Sequence, residues 1–251
     1  LSHCWGNQHV LTTTSVTYED RKERIHWTGL PKTFQDAIDC CRKLEIRYIW
    51  IDSLCILQDS HEDWDYEAGQ MKHVYTNAFV TLAAAAAKNS TEGMWPHPCW
   101  QDAGALIPFD PPEAQELPLL TRAWVLQERL LSARIIYFTK NEIMWECRQL
   151  RTCECLAGDI LQPSLDSGLP TLQTWQKFVD RYTSLCLTKA TDRLPALSGI
   201  AEQMGQRQFG TFYAGHWELN FVNSLCWLAA TPSSREPDTS VPSWSWAAAE
   251  G

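Results

Sequence analysis

Two side chains in the stretch Thr121-Arg122-Ala123-Trp124-Val125-Leu126-Gln127-Glu128-Arg129-Leu130-Leu131 could do chemistry together: Trp124 and Glu128. The stretch reads as a short helix behind a proline-broken loop, with Thr121 as its N-cap. At 3.6 residues per turn, positions 124 and 128 stand one turn apart on one face. An indole beside a carboxylate can hold a flat, cationic substrate and oppose positive charge as it develops. The same residues also allow a structural reading. In that reading Trp124, Leu130 and Leu131 pack the core, and Glu128 pairs with Arg122 or Arg129.

A second group stands where strands are expected to end. Ligands of parallel sheets bind outside the carboxyl ends of the strands. Trp5-Gly6, Asp52-Ser53-Leu54-Cys55 and the loop after residue 85 all fall there. Structurally, Asp52 would cap the next turn and Trp5 would be core. Cys55 could act as a nucleophile with His3 or His73 as its base, or simply pack at a strand end.

The elements that must position these residues follow from periodicity. Leu1 to Gly6 reads as a strand end and turn, and the polar stretch 7–29 as loop. Phe34, Ala37, Ile38, Cys41 and Leu44 repeat at helical spacing behind a capping-box-like Thr33 and Asp36. Ile46 to Ile51 reads as a strand buried on both faces. Ser60, with Asp63 three residues on, opens a helix whose inner stripe is Trp64, Ala68, Met71 and Tyr75. Ala78 to Ala85 reads as a third strand, and the strand–helix alternation predicts a parallel sheet with βαβ crossovers. Residues 86–120 carry prolines at 96, 98, 108, 111, 112 and 118, which suggests an inserted loop or lid. Arg134–Thr139 and Glu142–Cys147 form a hairpin pattern turning at Lys140-Asn141. Beyond about 150, Leu172, Trp175, Val179, Tyr182 and Leu185 mark one helix, and Asp192 caps another carrying Leu194, Leu197, Ile200 and Met204. Leu225–Ala230 and Val241–Trp246 look strand-like. The expected organisation is an α/β domain over 1–150 and a mixed α+β extension over 151–251.

Composition narrows the function. The chain has 251 residues and a formal net charge of −9, which argues against a broad nucleic-acid surface. Ten cysteines scattered through apolar patterns suit reduced thiols in a cytoplasmic, intracellular protein. Cys147, Cys153 and Cys155 lack the spacing of a zinc site, and no metal is expected. The apolar run Phe79–Ala87 is too short to span a bilayer. G-x-G-x-x-G, Walker A, G-x-S-x-G and H-E-x-x-H motifs are absent, so those cofactor and hydrolase classes gain no support. The start at Leu1, in what reads as a strand end, suggests a piece of a longer chain.

Four ordered motifs resemble the fungal heterokaryon incompatibility (HET) domain. Leu1-Ser2-His3-Cys4-Trp5-Gly6 is similar to its S-Y-x-W-G opening, with His3 where tyrosine is usual. Leu30–Ile38 and Tyr48–Asp59 are similar to its central block. Met71, Tyr75, Asn77 and Ala78 fit the next segment, and Arg122–Leu131 the last. Thr191–Ala201 and Pro242–Trp246 resemble the extension common in such proteins. The HET domain is in turn similar to TIR domains, whose plant members carry a W-C-L-x-E-L helix. Trp124–Leu130 lines up with that helix and places Glu128 on the TIR catalytic glutamate, although Arg129 stands where TIR has leucine.

The resemblance implies a flavodoxin-like, TIR-related fold and a role in non-self recognition and regulated cell death. It also implies NAD or NADP as a substrate, with no separate cofactor. Ser2, Trp5, Gly6, Asp52, Cys55, Arg122, Trp124 and Gln127 would then shape the nucleotide pocket around catalytic Glu128. Cleaving the nicotinamide–ribose bond expels a neutral leaving group from a cation, so one carboxylate facing an oxocarbenium-like centre is enough. Self-association on activation and an upstream recognition protein are the expected partners. A non-catalytic signalling module of the same pathway is the alternative.

Overall fold

The computed structural model describes residues 1–6, 10–95, 117–140, 142–154, 171–229, 234–235 and 241–250. Most of the expected lid and of the 151–170 connector, and the hairpin residue Asn141, lie outside these. The chain divides into two compact units. The first comprises Leu1–Thr121 and Ser132–Ser167, and the second Arg122–Leu131 and Gly168–Gly251. The helix bearing Trp124 and Glu128, read from sequence as part of the 1–150 segment, is therefore built into the second unit.

The first unit is mixed α/β. Its helices are α1 (Tyr18–Glu23), α2 (Lys32–Lys43), α3 (Asp52–Cys55) and α4 (His61–Asn77). Its strands are β1 (Thr81–Ala83), β2 (Arg134–Phe138), β3 (Ile143–Cys147) and β4 (Arg151–Cys153), in spatial order β1-β2-β3-β4. Ser2 bridges Ala83 in parallel, and β1 pairs with β2 in parallel. The β2–β3 and β3–β4 pairs are antiparallel. The expected parallel sheet is thus a mixed-orientation one. A connection as short as 139–142 can only return the chain antiparallel, and Thr139 closes it by donating its backbone N–H to Glu142 O at 3.2 Å.

Ile46–Ile51 joins no ladder among the described residues. It runs beside the first residues, Leu1 N donating to Trp50 O at 2.8 Å, and delivers Ile51 into the core with Phe34, Ala37, Leu82 and Phe138. The 7–29 stretch, read as loop, contains α1 and a 3-10 turn over Trp27–Gly29. The Ser60 cap forms as expected, accepting from Asp63 N at 3.2 Å, with Ala68, Met71 and Tyr75 buried along α4. The capping box at Thr33 and Asp36 does not form, because Pro31 occupies the N-cap and both side chains turn to distant backbone. Thr33 Oγ1 receives Gly93 N at 3.2 Å and Asp36 receives Met94 N at 2.9 Å.

The second unit is a helical cluster around aromatic rings. It contains α5 (Ala123–Leu131), α6 (Trp175–Thr183), α7 (Pro195–Met204), α8 (Gln206–Phe209) and α9 (Phe221–Ser224). Two short ladders join β5 (Phe212–Tyr213) to β6 (His216–Trp217), and β7 (Ser234–Arg235) to β8 (Ala249–Glu250). Residues 225–229 and 241–246, read as strand-like, form no strand. Pro242 removes a ladder donor, and Ser245 caps a 3-10 turn by accepting from Ala247 N. Asp192 does not cap α7 but ends a 3-10 turn before it. Thr121 spends its hydroxyl on Pro118 O at 2.8 Å rather than capping α5. Arg122 instead bridges Cys186, and Cys186 O accepts Ala123 N.

Cys4, Cys40 and Cys41 are buried free thiols, as the cysteine pattern suggests, whereas Cys55, Cys186 and Cys226 are exposed and Cys153 is disulfide-bonded. Among the described residues no helix is long and apolar enough to cross a membrane.

His216, on β6, is 1% exposed and contacts Ser224 Oγ through Nδ1 at 2.8 Å. Ser224 donates onward to Phe221 O, so Nδ1 is the protonated nitrogen and Nε2 a bare acceptor. Burial lowers the His216 pKa below its ordinary 6.5. The unfolded chain therefore binds the proton more readily than the native one. The stability involved is fully present above pH 6.5 and is lost as pH falls from there toward the depressed folded value. Unfolding free energy measured across that window should fall with acidification, and the slope should flatten in His216→Gln.

Candidate functional site

The site residues divide between the two units. Ser2, Trp5, Gly6, Asp52 and Cys55 lie in the first, and Arg122, Trp124, Gln127 and Glu128 in the second.

In the first unit, the bridge between Ser2 and Ala83 fixes the start of the chain. Ser2 N donates to Leu82 O at 2.8 Å, and Ala84 N donates to Ser2 O at 2.9 Å. Its side chain is 3% exposed, and its hydroxyl has no partner among the described residues. Extended backbone sends His3 and Trp5 to the same side, and both reach Asp52. Trp5 Nε1 donates to Asp52 Oδ2 at 2.8 Å, while His3 Nδ1 lies 3.7 Å from Oδ1. His3 packs edge-on against Phe34, ring centroids 5.0 Å apart. Asp52 opens α3 and accepts Ser53 N at 2.8 Å, so it does cap the following turn. Its side chain is still 27% exposed. A carboxylate held by one indole N–H and one amide keeps lone pairs for sugar hydroxyls. Thr13 braces the other side of α3, donating its hydroxyl to Leu54 O and its N–H to Ser53 O.

Gly6 carries the chain away from this cluster at φ +70°, where a Cβ would stand 2.4 Å from Asn89 Cβ and 3.0 Å from Lys88 O. Both the left-handed backbone and the close approach require glycine. Gly6→Ala should cost roughly 1–3 kcal/mol of stability, read as a lowered urea midpoint.

Cys55 ends α3 and is exposed by residue surface. Its thiol pKa is nevertheless raised, first by desolvation and further by the nearby Asp52 and Glu67 carboxylates. A raised pKa withholds thiolate, and no nucleophilic role is supported. Cys55 borders a groove of about 470 Å³ whose walls include Arg24, Trp27, Arg42 and Leu54.

In the second unit, α5 presents its site residues to different neighbours. Trp124 is half-buried and donates Nε1 to Asp192 Oδ2 at 3.1 Å. Gln127 is fully buried and accepts Gly199 N of α7 at 3.0 Å. Glu128 is 8% exposed, and Arg122 is half-buried at the entry to the helix. Glu128 thus supplies a carboxylate largely withdrawn from water, where its field is least screened.

His3 and Asp192 were not singled out as site residues. The His3–Trp5 alternation was the available signal for the first. Asp192 had none, since its partner lies 68 positions away.

Residues 1–106 match the family model described as heterokaryon incompatibility protein (HET). The matched range contains Ser2, Trp5, Gly6, Asp52 and Cys55 and ends before α5. No curated protein and no solved structure matches the chain.

Proposed function

From a chain whose first 106 residues carry the heterokaryon incompatibility domain, we propose a cytoplasmic effector of fungal non-self recognition that kills by cleaving the nicotinamide–ribose bond of NAD or NADP. The observation that carries the catalytic part is the Glu128 carboxylate, 8% exposed, one helical turn from Trp124 on α5. A carboxylate withdrawn from water stabilises an oxocarbenium-like centre strongly and needs no partner acid, because nicotinamide leaves as a neutral molecule. Trp5 and Asp52 add an indole and a sugar-binding carboxylate. The resemblance to TIR domains supports the same chemistry and a related fold. Incubating the whole chain with NAD and following nicotinamide release tests it, and absence of release at high protein concentration would overturn it.

One observation favours the second reading, a non-catalytic self-association module in the same pathway. Trp124 and Gln127 spend polar groups on Asp192 and Gly199, which ties α5 into its own unit. The two readings part on the rate law. An effector completed by self-association, after an upstream recognition protein gathers it, turns over faster per molecule as protein concentration rises. A flat specific activity across a hundredfold dilution would count against that assembly step.

A further inference from the structure

The second unit holds a cavity of about 820 Å³ among α6, α9 and the 214–216 and 226–229 segments, in the size range of small-molecule sites. Trp175, Trp227, Trp246 and His216 line it, with Lys177 and Arg193 as cations and Asp180 as an acid. The three indole N–H groups are already spent on backbone. Trp175 and Trp246 donate to Gly215 O at 2.9 and 3.3 Å, and Trp227 donates to Trp244 O at 2.9 Å. Gly215 makes this possible at φ +96°, since a Cβ there would stand 2.6 Å from Trp246 Nε1. These walls offer ring faces and edges rather than indole donors. Arg193 likewise gives Nη1 to Ala247 O and Ala249 O while keeping its charge.

His216 is the exception. Nδ1–H is committed to Ser224, and Nε2 is buried with no partner among the described residues. A buried acceptor left unmatched is costly and is regained by a ligand that brings a donor. We propose that this cavity binds a purine nucleotide bearing an exocyclic amino group, with the ring against the indoles, the amino N–H on His216 Nε2 and the phosphate toward Lys177 and Arg193. Three indoles and this volume favour a purine over a single small ring. The two cations against one acid favour a phosphate. The site does not depend on Glu128.

The test is titration calorimetry on the full chain with adenosine monophosphate, adenosine and purine riboside, which lacks the amino group. Saturable binding of adenosine monophosphate is expected, with adenosine weaker and purine riboside roughly 10-fold weaker than adenosine. His216→Phe should erase the difference between adenosine and purine riboside. Lys177→Glu, at an exposed position, should weaken the monophosphate severalfold and leave adenosine unchanged. Glu128→Gln should bind the monophosphate as the parent does, which separates this site from the proposed cleavage. Absence of saturable binding at millimolar ligand overturns the proposal, as does purine riboside binding as tightly as adenosine to the parent chain.

Discussion

Glu128→Gln should lose roughly 10²–10³ in the rate of nicotinamide release, about 3–4 kcal/mol of transition-state stabilisation. The substitution keeps size and much of the hydrogen-bonding capacity and removes only the charge that faces the ribosyl cation. Thermal unfolding should hardly move if the carboxylate serves substrate. If it is instead half of a buried ion pair, stranding the partner should cost roughly 3–5 kcal/mol of stability. Turnover would then be governed by how much protein stays folded. Nicotinamide release and thermal unfolding on the same sample separate the outcomes: inactive and stable, or active and fragile. Wild-type turnover in the variant would remove Glu128 from the mechanism.

Trp217→Ala should destabilise the second unit by roughly 3–5 kcal/mol, a large share of a domain's usual margin of about 5–15 kcal/mol. The indole has no exposed surface and is ringed by Phe212, Phe209 and Trp175 at centroid distances of 4.9, 5.6 and 5.9 Å. Truncation leaves a hole that these rings cannot close without leaving their own rotamers. Its Nε1 has no partner among the described residues, so Trp217→Phe forfeits volume but no hydrogen bond. Trp175→Phe forfeits both, because its Nε1 donates to Gly215 O at 2.9 Å. Urea titrations followed by circular dichroism should place Trp217→Phe closest to the parent, Trp175→Phe lower by about a further 1 kcal/mol, and Trp217→Ala lowest.

What the sequence made legible is what short range decides. The Ser60 cap with Asp63 and the hairpin around 139–142 are settled within a few residues, and both form. The α2 stripe of Phe34, Ala37 and Cys41 is read from a 3.6 period and is buried. Where long-range partners compete, local rules failed. Thr33 and Asp36 have the spacing of a capping box, yet backbone donors 60 and 58 positions away take their oxygens. Ile46–Ile51 has strand composition, but β-rich sequence reports a pleated, half-buried surface rather than a ladder. The sheet's edge beside β1 is bridged by Ser2 instead. At the site, the grouping of Trp5 with Asp52 came from expected strand ends, and a hydrogen bond across 47 positions joins them. Nothing local could reveal that Gln127 would be committed to α7.

The division of the chain also sets an order of assembly. Helix α5 leaves the ribosome well before α7, its packing partner, since Gln127 and Gly199 are 72 positions apart. During that interval Ala123 and Leu126 have neither Leu197 nor Ile200 to cover them. Meanwhile β2, which follows α5 at once, can already pair with β1. The nascent chain must therefore close its first sheet while holding out an uncovered helix between two strands of that sheet. Contacts of such long sequence separation fold slowly. Any truncation near residue 150 releases α5 with its apolar face bare, so fragments cut there should aggregate where the whole chain does not.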